Sequence, residues 1–221
     1  MAEPDPQRLL TALTTEHFGL QGARASTISE AGTRSALFLG SVSSTLVAIG
    51  FIASVAGDSE IFHAFALVVL PTLYFLGVFT WVRLVEGSVE DIFYGRAINR
   101  IRNHYLEIAG DKASLFLLGA HDDPPGVIAN MAIRPSRWQL FFTTAAAVAV
   151  VTSVVGGSAL ALAVSVALDA PLGVAVPIGA VFAAISLTLM MRWDRRRHQL
   201  GADQVVSMFP SRRPGAERPP R

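Results

Sequence analysis

The sequence contains no cysteine, which excludes disulfides, thiolate metal sites and cysteine nucleophiles together. Charge is scarce too. Charged residues make up 16% of the 221 positions, against roughly 25% in soluble domains, while apolar residues make up 52%. Four stretches, 35–57, 61–82, 138–168 and 170–191, hold no Asp, Glu, Lys or Arg at all. There is also no glycine-rich phosphate loop, no nucleophile elbow, no histidine pair at metal spacing and no paired carboxylates set for a cleft. The chain therefore reads as a non-enzyme without a cofactor. Its first 34 residues are polar with four acidic groups, unlike the basic start and short apolar run of a cleavable signal.

What is present points to a membrane. About 20 apolar residues at a 1.5 Å rise cross a hydrocarbon core of roughly 30 Å, and each charge-free stretch is at least that long. Buried helices of a soluble core would show a polar stripe and shorter runs. The expected fold is an all-α polytopic membrane protein with four transmembrane helices plus N-terminal and inter-span helices. The expected segments are an N-terminal helix in 1–34, a transmembrane hairpin over 35–82, a loop with an amphipathic helix over 83–137, a second hairpin over 138–191, and a basic, disordered tail over 192–221. Pro71, Pro171 and Pro177 are compatible, since neighbouring helices re-satisfy freed carbonyls.

Orientation follows from charge. The short links carry only Asp58, Glu60 and Asp169, whereas all 18 Lys and Arg fall in 1–34, 83–137 and 192–221. Basic residues are retained on the cytoplasmic side, so both termini and the long loop are expected inside a cell membrane. Trp81, Trp138 and Trp193 each lie within two residues of a basic residue, as interface anchors in the headgroup layer would.

Helix association in lipid depends on close backbone approach through small residues. The first span offers Ala36, Gly40, Ser44 and Ala48 at spacing four, and the third offers Ala145, Ala149, Ser153, Gly157 and Ala161. Ala175, Gly179 and Ala183 continue the pattern in the fourth. These stripes either build a homo-oligomer or pack the four helices of one monomer. Ser41, Ser43, Ser44 and Thr45 read as hydroxyls bonded back along their own helix, or as a polar lining. His63, close to the outer end of the second span, is the one Asp, Glu, Lys, Arg or His near membrane depth, which argues against proton-coupled transport.

Outside the spans, residues 7–31 read as a weakly amphipathic helix with Leu10, Leu13, His17, Leu20 and Ile28 near one face. Residues 88–108 read as a second one, opened by Ser88 with Asp91 three residues on, an acidic variant of a capping box. Arg96, Arg100 and His104 line up beside its apolar face. Arg96 and Arg100, with Arg192, Arg195, Arg196 and Arg197 of the tail, are expected to contact anionic lipid headgroups or an anionic ligand. His121, Asp122 and Asp123 are metal-ligand types, but adjacent residues rarely converge on one ion, and Pro-Pro-Gly marks a turn. The short arginine cluster lacks interleaved aromatics, so no nucleic acid is expected.

The residues Glu16-His17-Phe18, Leu20-Gln21, Ala23-Arg24, Thr27-Ile28-Ser29-Glu30, Arg34 and Ala36-Leu37-Phe38-Leu39 carry a family resemblance. So do 68–77 (VVLPTLYFLG), 98–102 (INRIR), 121–123 and Trp138-Gln139. Over most of 16–160 the chain resembles a family of bacterial four-span integral membrane proteins to which no activity is attached. The resemblance implies the four-span plan and no more. In organisation alone, a helix feeding a small-residue-rich span is similar to membrane effectors of cyclic-nucleotide antiphage systems. The functional expectation is a signal-responsive or membrane-perturbing protein that oligomerises. The alternatives are a small channel or transporter for an uncharged solute, and an anchor or assembly factor for a cytoplasmic protein partner.

Overall fold

The computed structural model describes residues 5–57, 59–131 and 143–211. Among these are five α-helices: α1 (Pro6–Ala56), α2 (Glu60–Ala109), α3 (Pro124–Asn130), α4 (Thr144–Leu168) and α5 (Leu172–Asp203). A short 3-10 helix, Gly110–Leu115, follows α2, and the described residues contain no strand. The chain is thus all-α. Four of the helices are long and apolar enough to cross a membrane.

Burial decides between a soluble core and a bilayer. The most apolar windows of α1, α2, α4 and α5 have mean hydropathies of 2.0 to 2.2, yet only 11%, 17%, 39% and 22% of them is buried within the protein. Helices of a soluble core would hide that surface, because exposed apolar patches of this size are not tolerated in water. Lipid accepts it.

The helices do not stop where the apolar runs stop. With 51 residues in α1 and 50 in α2, each helix has more than twice the ~20 residues that a hydrocarbon core requires. The N-terminal helix and the first span are therefore one element, as are the second span and the helix expected over 88–108. Ser88 consequently caps nothing. Its hydroxyl meets His198 at 3.0 Å, and Asp91 takes a two-pronged bond from Arg24 at 2.6 and 3.0 Å. The tail expected to be disordered continues α5 to Asp203, and residues 204–211 are held by hydrogen bonds described below. The remainder, 212–221, lies outside the described residues, as do 138–142 of the expected third span.

Two compact units share these helices. Unit 1 comprises Met1–Ser29, Gly87–Pro135 and His198–Arg221, and unit 2 comprises Glu30–Glu86 and Ser136–Arg197. The core of unit 2 gathers Phe38, Leu73, Leu84, Val85, Val148 and Met190. Within it α4 and α5 approach backbone to backbone. A Cβ on Gly157 would lie 2.5 Å from the carbonyl oxygen of Gly179, and one on Gly179 would meet the Gly157 carbonyl oxygen in turn. Asp169, in the left-handed region at φ 49°, ends α4 and closes the short turn into α5. Of the stripe in the third span, Ala149, Ser153 and Gly157 are buried, and Ala145 and Ala161 are half-buried, so this stripe packs the monomer.

The first-span stripe does the opposite. Ala36, Gly40 and Ser44 are exposed, Ala48 is half-buried, and nothing lies within 4 Å of a Cβ placed on Gly40. In unit 2, α1 packs instead through Ser35 and Phe38, with Val42, Thr45 and Ile49 half-buried behind them. In unit 1 its inward residues are Leu13, His17, Leu20, Arg24 and Thr27, while Leu10 and Ile28 face outward.

Replacing Gly157 or Gly179 by Leu is expected to wedge α4 from α5 at a cost of about 1–3 kcal/mol, typical of overpacking. Thermal unfolding of the purified protein should show a drop of several degrees. Gly173→Leu, where space is open, should leave the midpoint in place.

Candidate functional site

Unit 1 contains two irregular segments, 116–123 and 204–211, whose backbone amides and carbonyls have no helix to satisfy them. Side chains from α2 supply the partners. Arg96 is 4% exposed and donates to the carbonyl oxygens of Asp122 at 2.8 Å, Ala202 at 3.0 Å and Val205, with the Ser207 hydroxyl at 3.2 Å. One turn on, Arg100 donates to Asp122 Oδ2 at 2.9 and 2.7 Å and to the Val206 carbonyl at 2.7 Å. Between them Asn99 donates to the His121 carbonyl at 2.7 Å and accepts from Asn130 at 2.9 Å.

Asp122 is the centre of this clasp. Its carboxylate is fully buried and accepts the backbone N–H groups of Met208 at 3.0 Å and Phe209 at 2.7 Å. Its own N–H donates to the Phe209 carbonyl at 3.2 Å. Asp123 caps α3 by accepting from Gly126 N–H at 3.0 Å, with Pro124 at the first helical position, and its other oxygen takes the N–H and hydroxyl of Ser211. Burial pushes the Asp122 carboxyl up, but the Met208 and Phe209 amides and Arg100 outweigh it and hold the group below the usual carboxylate range. Asp123 is lowered in the same way, with burial opposed by Ser211 and Gly126.

The expected contacts divide accordingly. Arg96 and Arg100 are spent on backbone carbonyls and Asp122, so Arg96 is not a headgroup or anion contact, and only the open side of Arg100 faces solvent. Both aspartates of the His-Asp-Asp run hold backbone. Among the described residues no group of three His, Asp or Glu is placed to hold a metal ion. Beside the clasp is a cavity of about 480 Å³ whose apolar wall includes Leu13, Leu20, Phe93 and Ile101 and whose lining also takes in Glu16, Arg96, Arg100 and His104.

In unit 2, Trp81 is 4% exposed and lies in the core with its ring 5.1 Å from the Trp193 ring and tilted by 52°, its indole N–H buried and without an acceptor among the described residues. It is a core residue and not an interface anchor. Trp193 is half-buried under the Arg197 guanidinium, 5.8 Å above its ring. Trp138 lies outside the described residues. Arg192, Arg195 and Arg196 are exposed, and Arg197 reaches Glu86 at 3.8 Å. Ser41 donates to the Leu37 carbonyl at 2.9 Å, back along its own helix. Sequence reasoning missed the hydroxyl chain of Tyr74, Ser186 and Ser153, at 3.2 and 3.5 Å, whose members come from three helices.

Asp122→Ala should free residues 204–211, since stranding a buried donor costs about 1–3 kcal/mol, more when charge is involved. Amide exchange at Met208 and Phe209 is expected to accelerate by roughly tenfold to a hundredfold at neutral pH, after division by intrinsic rates. Because the folded carboxyl titrates below its ordinary value, its contribution is complete above that value and is lost as pH falls through the lower, folded one. Protection of the segment in the parent protein should therefore be flat from neutral pH to about 5 and decline in stronger acid. A decline beginning near neutrality would contradict this assignment.

Set against known proteins, the chain matches no family model, no curated protein and no solved structure.

Proposed function

We propose that the protein is a non-enzymatic, signal-responsive component of a bacterial cell membrane that acts as a homo-oligomer joined along α1. The observation that carries this reading is the outward face of that helix. Positions 22, 25, 29, 32, 36, 40, 43, 47, 50 and 54 fall on one side at 3.6 residues per turn, and they are small, Gly, Ala or Ser, at every position except Val47. All ten are exposed. A helix facing lipid alone gains nothing from so many small residues, whereas a second helix can approach closely over them. The face continues past the charge-free run into residues 22–32, where no lipid is needed to explain it. The resemblance of residues 16–160 to bacterial four-span proteins and the one-sided basic residues support a cell membrane with both termini cytoplasmic. The 480 Å³ cavity in unit 1 is of ligand size and supports a sensing role.

The cysteine-free chain makes this directly testable. Gly40→Cys or Ala36→Cys should give disulfide-linked dimers in oxidised membranes, and Val42→Cys, on the packed face, should not. Gly40→Leu with Ser44→Leu should abolish the oligomer and any change in membrane potential on expression. Absence of crosslinks from every outward position would sink the reading.

An anchor for a cytoplasmic protein is the second reading, favoured by one feature. Leu115, Phe116, Leu117 and Leu118 are all exposed, Leu117 to 95%. A photocrosslinker at Leu117 should then capture one stoichiometric protein, and capture of another copy of this chain alone would count against it.

A further inference from the structure

Charge pairing in unit 2 is selective. Glu30 lies 2.7 Å from Arg34 and 3.2 Å from Arg83, and Glu86 lies 3.8 Å from Arg197 and 3.9 Å from Arg83. Asp194 has an interaction of its own. Arg192, Arg195 and Arg196 have no ion pair or hydrogen bond among the described residues, and two of them share a feature. Arg192 and Arg196, one turn apart on α5, border an open cleft of about 560 Å³ between α2 and α5, whose apolar wall includes Val82 and Leu189 beside Trp81 and Trp193.

The position of this cleft matters as much as its charge. The charge-free runs of the second and fourth spans end at Val82 and Met191, and Arg83 and Arg192 follow directly. The apolar wall thus belongs to the end of the hydrocarbon zone and the two guanidiniums to the headgroup layer. Guanidinium forks match phosphate oxygens in a way that a zwitterion's nearby ammonium weakens. We propose that the cleft binds the phosphate of an anionic phospholipid, with Arg192 and Arg196 on the phosphate and an acyl chain along Val82 and Leu189. The assignment needs only the membrane-spanning fold and is independent of the oligomer along α1.

Tryptophan quenching tests it, because Trp81 and Trp193 line the cleft. The full-length protein carrying Trp138→Phe would be reconstituted in phosphatidylcholine vesicles containing either brominated phosphatidylglycerol or brominated phosphatidylcholine. The anionic lipid should quench more at equal content, with a relative affinity on the order of tenfold. Arg192→Gln with Arg196→Gln should remove the excess, the corresponding pair of Lys substitutions should keep most of it, and Arg195→Gln should leave it whole. Arg196→Gln alone should reduce the excess, which covers the case in which the double Gln variant fails to fold. Millimolar inorganic phosphate should not relieve the quenching. Equal quenching by the two lipids, an excess that survives the Gln substitutions, or displacement by inorganic phosphate would each overturn the proposal.

Discussion

A backbone amide in hydrocarbon has no water to bond, and a helix end there strands four donors or four acceptors. The chain meets this constraint by carrying its helices far past the apolar zone. Neither α1 nor α2 ends at the charge boundary near Arg34 or Arg83, and each continues for more than 25 residues beyond it. Gly87, a residue that often closes helices, is instead buried beside Thr27, where a Cβ would come within 3.4 Å of its methyl. Continuation removes the need for caps at the headgroup layer. It also supplies unit 1 with preformed helices, so that only short irregular pieces remain to be fixed.

Those pieces are fixed by side chains, and the two units use different chemistry to do it. Unit 1 uses ions. Arg96 replaces a helix as the donor to three carbonyls, and Asp122 replaces one as the acceptor for two amides. Burial of both charges is tolerable because nearly every donor and lone pair has a partner. In the membrane-spanning part of unit 2, the polar groups between helices are hydroxyls, those of Tyr74, Ser153 and Ser186, together with the Met190 sulfur at 3.7 Å from Ser153. An ion there would cost more than its geometry returns. Gly157 and Gly179 then let α4 and α5 approach until dispersion and backbone contact carry the association.

The four spans were legible because charge-free runs of this length have one common explanation. The small-residue stripes were legible as patterns but not in direction, and for α4 the direction came from the contact of Gly157 with Gly179. For α1 the direction was not legible, because a row of small residues serves a helix of the same chain and of another chain equally well. Burial separated the two. The clasp was closed to sequence reasoning for a different reason. Arg96 bonds residues 26, 106 and 109 positions away, and no local periodicity encodes such distances. Asp123 followed by Pro124 and Pro125 was a readable helix start, an N-cap with proline at N1, although it also reads as a turn. Trp81 shows the limit of a positional rule, since a tryptophan beside an arginine suits a headgroup layer or a core, and only its neighbours decide.

Counting arginines gives a topology, but pairing them gives a chemistry. Across the whole chain 18 basic residues nearly cancel 17 acidic ones, which suggests a protein with little charge to spend. The cancellation is local and uneven. Acids stand opposite Arg24, Arg83, Arg100 and Arg197, where they tie one segment of the fold to another, and Glu30 also pairs with Arg34 within α1. A paired arginine is already occupied, and recruiting it for a ligand would strand its carboxylate, at greatest cost for the fully buried Asp122. An exposed and unpaired arginine carries no such debt, so anions are drawn to it at little cost in folding. Arg192 and Arg196 share the spacing of four with Arg96 and Arg100, but among the described residues no acid is paired with them, and their guanidiniums stay exposed where that of Arg96 is buried.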